Sequence, residues 1–136
     1  MNDRSHNLLQ IRPQITSASV NSEMSLDEQF QNRTLRPIIK LQNGLLVAAL
    51  QNYITKHKNK YYELSLENQL GYIENSIQRD IKFRNSLKGM IIGQFTLEEY
   101  EEYIKNSSAL NKRMMNMVIE RLKGQIQLFE VPVLIQ

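Results

Sequence analysis

The chain of 136 residues has no cysteine and no tryptophan, and only two histidines, three prolines and five glycines. Each shortage excludes something. Without thiols there is no disulfide, no thiolate nucleophile and no cysteine-bound metal. With His6 and His57 as the only imidazoles, a His-rich zinc centre and the paired Glu-x-x-His motif of carboxylate-bridged bundles are both ruled out. There is no Gly-x-Ser-x-Gly elbow. Gly89 and Gly93 stand four apart without the lysine and Ser/Thr that a phosphate loop needs. No apolar run has the length to span a membrane, and the first residues lack the apolar stretch of a secretory leader. The expectation is a cytoplasmic protein with no metal, no cofactor and no catalytic residue.

What is present suits one globular domain. Hydrophobic residues make up 41% and charged residues 23%, ordinary values for a packed chain of this length. The formal charge of +3 is too small an excess to point to nucleic acid, which is not the expected partner. Residues 1–24 are rich in Ser, Asn, Gln and Thr and read as an arm, poorly ordered or laid on the surface, with residues 25–136 as the single domain. Leu8, Leu9, Ile11 and Ile15 are the side chains available to tie the arm down.

A helix-start phrase occurs three times, as Ser25-Leu26-Asp27-Glu28, Ser65-Leu66-Glu67-Asn68 and Thr96-Leu97-Glu98-Glu99. In each, a hydroxyl is placed to accept from a free first-turn amide, and acidic residues follow at the positive end of the helix dipole. Glu28 and Glu99 add the second half of a capping box, and Phe95 and Tyr100 have the spacing of a hydrophobic staple. The predicted fold is all-α, a bundle of about four helices. The first runs from Ser25 to about Lys58 with Phe30, Ile38, Leu41, Leu45, Ala48, Ala49 and Tyr53 near one face, and with a kink or break at Pro37, because Arg36 before it should be pushed off helical angles. The second runs from Ser65 to about Gly93 along the seam Leu66, Leu70, Ile73, Ile77, Leu87 and Ile91. Thr96 opens a short third helix, and Ser107 or Ser108 caps a fourth with Leu110, Met114, Val118 and Leu122 inward. The tail Val131-Pro132-Val133-Leu134-Ile135 is apolar and extended, and suits packing on the bundle or on a neighbour.

The seam is broken once. Heptad steps from Ile73 and Ile77 land on Asp80 and Arg84, residues that share a helix face and can pair. Ions taken into a core need good geometry and further hydrogen bonds, and Asn85, Asn43, Asn52, Arg36 and Asn111 are the candidate partners. One reading is a polar network that fixes helix register. The other is a small pocket for an anionic or amide-bearing ligand, built from Asp80, Arg84, Asn85, Arg36, Asn43 and Asn111. Met90, Met114, Met115 and Met117 read as gap-filling core, and the run Glu98, Glu99, Glu101, Glu102 as a solvated helix start. The leading functional expectation is an interaction or structural module that self-associates, most simply as a homodimer, or that takes an unidentified protein partner. The alternatives are a ligand-binding or enzymatic bundle with its pocket around Asp80 and Arg84, and, second, nucleic-acid binding.

Residues 31–43, 84–93 and 110–114 resemble a family of small uncharacterised bacterial proteins whose members are often labelled glyoxalase. The resemblance implies an all-helical fold and carries no site residue. Metal-dependent glyoxalases set His and Glu ligands on the strands of βαβββ units, a pattern absent from this sequence.

Overall fold

The computed structural model describes residues 3–15 and 19–130, and every regular element among them is helical. The elements are α1 (Arg4–Ile11), α2 (Leu26–Phe30), a π turn (Gln31–Leu35), α3 (Arg36–Leu41), α4 (Asn43–Lys56), α5 (Leu66–Arg79), α6 (Ile81–Ile92), α7 (Leu97–Tyr103) and α8 (Ser107–Lys123). Short 3₁₀ turns sit at Lys60–Glu63, Ile104–Asn106 and Ile126–Leu128. The all-α expectation holds, but about four helices is too few. Six helices of seven residues or more and two shorter pieces lie among the described residues. The expected packing of the tail concerns residues 131–136, which lie outside the described residues.

The three hydroxyls cap as expected, but of the two expected capping boxes only the one at Thr96 forms; Glu28 accepts from the Ser25 hydroxyl at 3.3 Å and not from its amide. Ser25, Ser65 and Thr96 accept from the amides of Glu28, Asn68 and Glu99 at 3.1, 3.3 and 3.1 Å. At Thr96 the capping box closes, because Glu99 Oε1 accepts from the Thr96 amide at 2.8 Å. Phe95 is buried, but the rings it meets are Phe30 and Tyr103, with Tyr100 left outward. α8 has no side-chain cap; Asn106 precedes it through the 3₁₀ turn, so neither Ser107 nor Ser108 plays the expected part.

Pro37 does not break the first helix. Arg36 keeps helical angles (φ −59°, ψ −50°), and Pro37 stands at the start of α3, where its missing N–H costs little. The chain accommodates Pro37 by widening the preceding turn into the π segment, and the interruption comes later, at Gln42 (φ −87°, ψ 3°). The wider turn and the interruption rotate the helix face. Leu46, Leu50 and Ile54 are buried where the regular pattern placed Leu45, Ala49 and Tyr53. Beyond α4, Lys58 and Asn59 take left-handed angles and turn the chain back.

The second predicted helix is two helices. It ends at Arg79, Asp80 is extended (φ −84°, ψ 99°), and a new helix begins at Ile81. Ile73, Ile77, Leu87 and Ile91 still share one buried seam across the break, packed with α8's Leu110, Met114, Val118 and Leu122, whereas Leu66, expected at the head of that seam, is exposed and Leu70 only half-buried. Each such side chain contributes roughly 1.5–3 kcal/mol of transfer free energy on burial. Gly89 and Gly93 do not admit a neighbouring helix: a Cβ on Gly89 would meet nothing within 4 Å, and one on Gly93 only the Gly89 carbonyl.

The arm, expected to be irregular, carries the helix α1 and is tied down by charge. Arg4 donates to the Phe95 and Gly93 carbonyls at 2.7 and 2.9 Å, and Arg12 to the Gln94 carbonyl at 2.8 Å. Leu9 and Ile11, expected as anchors, are more than half exposed.

Candidate functional site

The structure divides the six residues singled out from the sequence among three places. At the α5–α6 break, Asp80 caps α6, accepting from the Phe83 amide at 3.2 Å. Its other oxygen accepts from the Tyr53 hydroxyl at 3.1 Å. Those two hydrogen bonds, the Phe83 amide first, hold the Asp80 carboxyl below its ordinary value. Burial and then the Asp80 bond push the Tyr53 hydroxyl up to about 12. The Tyr53 ring lies 4.1 Å from that of His57 and 4.3 Å from that of Phe83, centroid to centroid.

Arg84 makes no ion pair with Asp80; it is half-buried and its Nε has no partner. The charges that interrupt the seam are therefore a cap and a separate cation. Aspartate suits an N-cap better than a helix interior, which is why the helix stops there. Asn85 is exposed beside them, and Asn111 stands elsewhere, accepting from the Tyr103 hydroxyl.

Arg36 and Asn43 belong to a different feature. Between the π turn and α3 on one side and the outer flank of α8 on the other lies a groove of about 1070 Å³. Arg36 and Lys40, one turn apart on α3, form one wall; Arg113 and Arg121, two turns apart on α8, form the other. Glu120 is the one carboxylate among the lining residues. The four cations and single acid give the groove the whole chain's formal excess of +3, so the rest of the chain is formally neutral. Amides fill the space between the charges. Gln31 accepts from Arg113 at 2.8 Å, Asn32 from Arg36 at 2.8 Å, and Asn43 exchanges bonds of 2.8 and 2.7 Å with Gln125 at the groove's end. Ile15, Ile39 and Met117 supply the apolar part of the lining.

This arrangement is equipped to bind an anionic group. Among the described residues that line it there is no hydroxyl, imidazole or thiol; its reactive groups are the Lys40 amine and the Glu120 carboxylate. Guanidinium groups with spare N–H donors match carboxylate or phosphate oxygens geometrically. Among the described residues, no group of three His, Asp or Glu side chains is placed to hold a metal ion.

Sequence reasoning found Arg36 and Asn43 but missed Lys40, Arg113, Arg121 and Gln125. The signal was there: Arg113, Asn116, Met117, Glu120, Arg121 and Gly124 recur at spacings of three and four and form one flank of a helix. Glu99 was also missed. Burial pushes its carboxyl up most, but the Arg12 hydrogen bonds and charge, the Thr96 amide and the Thr34 hydroxyl outweigh that and hold it below its ordinary value. No family model matches the chain, and neither does any curated protein or solved structure.

Proposed function

We propose that this chain is an interaction module whose working surface is the basic groove between α3 and α8, and that the groove takes an acidic polypeptide segment. The observation that carries this is the charge segregation, with Arg36, Lys40, Arg113 and Arg121 facing one carboxylate across an amide-lined floor. A polypeptide is favoured over nucleic acid on two grounds. No aromatic ring lines the groove, so bases would find nothing to stack on. Asn and Gln side chains offer both donors and acceptors, which suits a peptide backbone, while Ile39 and Met117 can receive apolar side chains. No helix among the described residues is long and apolar enough to cross a membrane. A cytoplasmic setting and kinship with the small bacterial helical proteins that residues 84–93 resemble are parts of the same proposal.

The test is anisotropy with a fluorescent oligo-glutamate and a fluorescent single-stranded oligonucleotide at about 150 mM salt, where screening acts over about 8 Å. Binding of the oligo-glutamate, weakened at least tenfold in Arg36→Glu/Lys40→Glu, is the expected result. Tighter binding of the oligonucleotide, or binding of oligo-glutamate unchanged in that variant, overturns the proposal.

A further inference from the structure

α7 presents an unusual outward face. Leu97, Tyr100 and Ile104 follow one another at helical spacing and are 59, 46 and 54% exposed. Glu98 and Glu101 flank them, both exposed. On the inner side the same short helix is anchored, with Tyr103 buried, Glu99 held by Arg12 and Glu102 paired with Arg33 at 2.7 Å. Among the described residues, Glu98 and Glu101 form no ion pair or side-chain hydrogen bond. The ridge borders an acidic hollow of about 800 Å³ that also takes in Asp27 and Glu102, with Lys105 as its single cation. No residue lines both this hollow and the basic groove.

The two surfaces are complements. The groove offers cations on both walls, an apolar strip and hydrogen-bonding amides. The ridge offers carboxylates beside a row of apolar side chains. Two ridges set against each other across a two-fold axis would oppose carboxylate to carboxylate, and two grooves would oppose cation to cation. We infer that the acidic segment taken by the basic groove is the α7 ridge of a second copy of this chain, an inference that rests on the groove being the working surface. Such a contact joins unlike faces, so it is heterologous. It propagates head to tail unless the rotation between copies closes a ring. Association through facing charges is steered at low salt and weakens as salt rises.

The experiment uses the full chain in sedimentation velocity at about 50 mM salt, with two charge-reversed variants. Arg36→Glu/Lys40→Glu spoils the groove, and Glu98→Lys/Glu101→Lys spoils the ridge. All four residues are exposed, so folding should survive, and circular dichroism checks that it does. The wild type should associate in a concentration-dependent way, and each variant alone should stay monomeric. Mixed in equal amounts, the variants retain one intact groove and one intact ridge between them and should associate again. A wild type that stays monomeric overturns the inference. So does a dimer that both variants leave intact, or a mixture that stays monomeric. The oligo-glutamate measurement separates the two levels. If the wild type is monomeric while oligo-glutamate still binds the groove, the second copy is the wrong occupant and the groove reading stands. If oligo-glutamate also fails, both fall.

Discussion

Arg12 and Glu99 meet fork to fork, with each terminal guanidinium nitrogen 2.6 Å from one carboxylate oxygen. Their side chains are only 7% and 12% exposed. Glu99 is also the partner of the Thr96 amide in the α7 capping box, and it accepts from the Thr34 hydroxyl of the π turn at 3.1 Å. One carboxylate thus joins the arm, the π turn and α7. Its place three residues after a cap explains why a glutamate stands there, and its three further donors explain why it is held inward.

Removing Arg12 should therefore do more than loosen the arm. In Arg12→Ala, Glu99 keeps the Thr96 amide and the Thr34 hydroxyl but loses its countercharge, and the cost should be about 2–4 kcal/mol, near the range for breaking a buried pair. Urea denaturation gives the loss. Hydrogen exchange should show the amides of residues 4–11 unprotected while those of α8 keep their order of protection. A loss below about 1 kcal/mol would place the pair among solvent-screened surface bridges.

The same carboxylate sets an acid limb. Glu99 titrates in the folded state below its ordinary value of 4.5, so the folded state favours its charged form. That contribution is fully present above the unfolded value and disappears as pH falls through the folded one. Stability should drop as the pH is taken from about 5 towards 3. Glu99→Gln should lower stability at neutral pH and flatten that limb, measured as urea midpoints across the range. A limb of unchanged steepness in the variant would assign it to other carboxylates.

Asp80 and Arg84 should behave as strangers. The pair that heptad spacing suggests does not form, because the aspartate has ended one helix and capped the next. Asp80→Ala should remove a cap and expose the first amides of α6 to exchange, whereas Asp80→Asn, still a good cap, should restore most of that protection. Arg84→Ala should cost less than about 1 kcal/mol, since it strands no partner and loses only the packing of its stem. The double variant should show the sum of the two effects. A large coupling between them would restore the ion pair.

How far the sequence could be read depended on which physics acted locally. The caps at Ser25, Ser65 and Thr96 are short-range, each hydroxyl reaching an amide three residues on, and they were legible. So was the seam through Ile73, Ile77, Leu87 and Ile91, because helix periodicity survives a short break. The π turn was not legible, because one extra residue in a turn leaves no compositional mark and shifts each later face. That is why Leu46, Leu50 and Ile54 replaced Leu45, Ala49 and Tyr53 in the core. The basic groove joins residues 36–40 to 113–125, a pairing fixed by how α3 packs beside α8 and written in neither segment alone. Arg36 and Asn43, which the sequence offers as partners for Asp80, belong instead to that groove and its end.

Tyr61 offers the clearest test of the interior. Its side chain is fully buried against the rings of Tyr62, Tyr72 and Phe129, and its hydroxyl has no hydrogen-bond partner. A buried hydroxyl without a partner forfeits its hydration and gains nothing in return. Tyr61→Phe keeps the ring and its edge contacts, so it should stabilise the protein by roughly 0.5–1.5 kcal/mol at pH 7. Burial, and then the neighbouring Tyr62, push this hydroxyl from 10.0 up to about 12, so the folded state favours its neutral form. That preference is present below pH 10 and is lost as the pH climbs towards 12, so the wild type should weaken over this range. The variant should lose less there, and urea midpoints at neutral and alkaline pH give both numbers. If Tyr61→Phe instead destabilises the protein by more than about 1 kcal/mol, the hydroxyl has a partner in solution and its burial is part of a network.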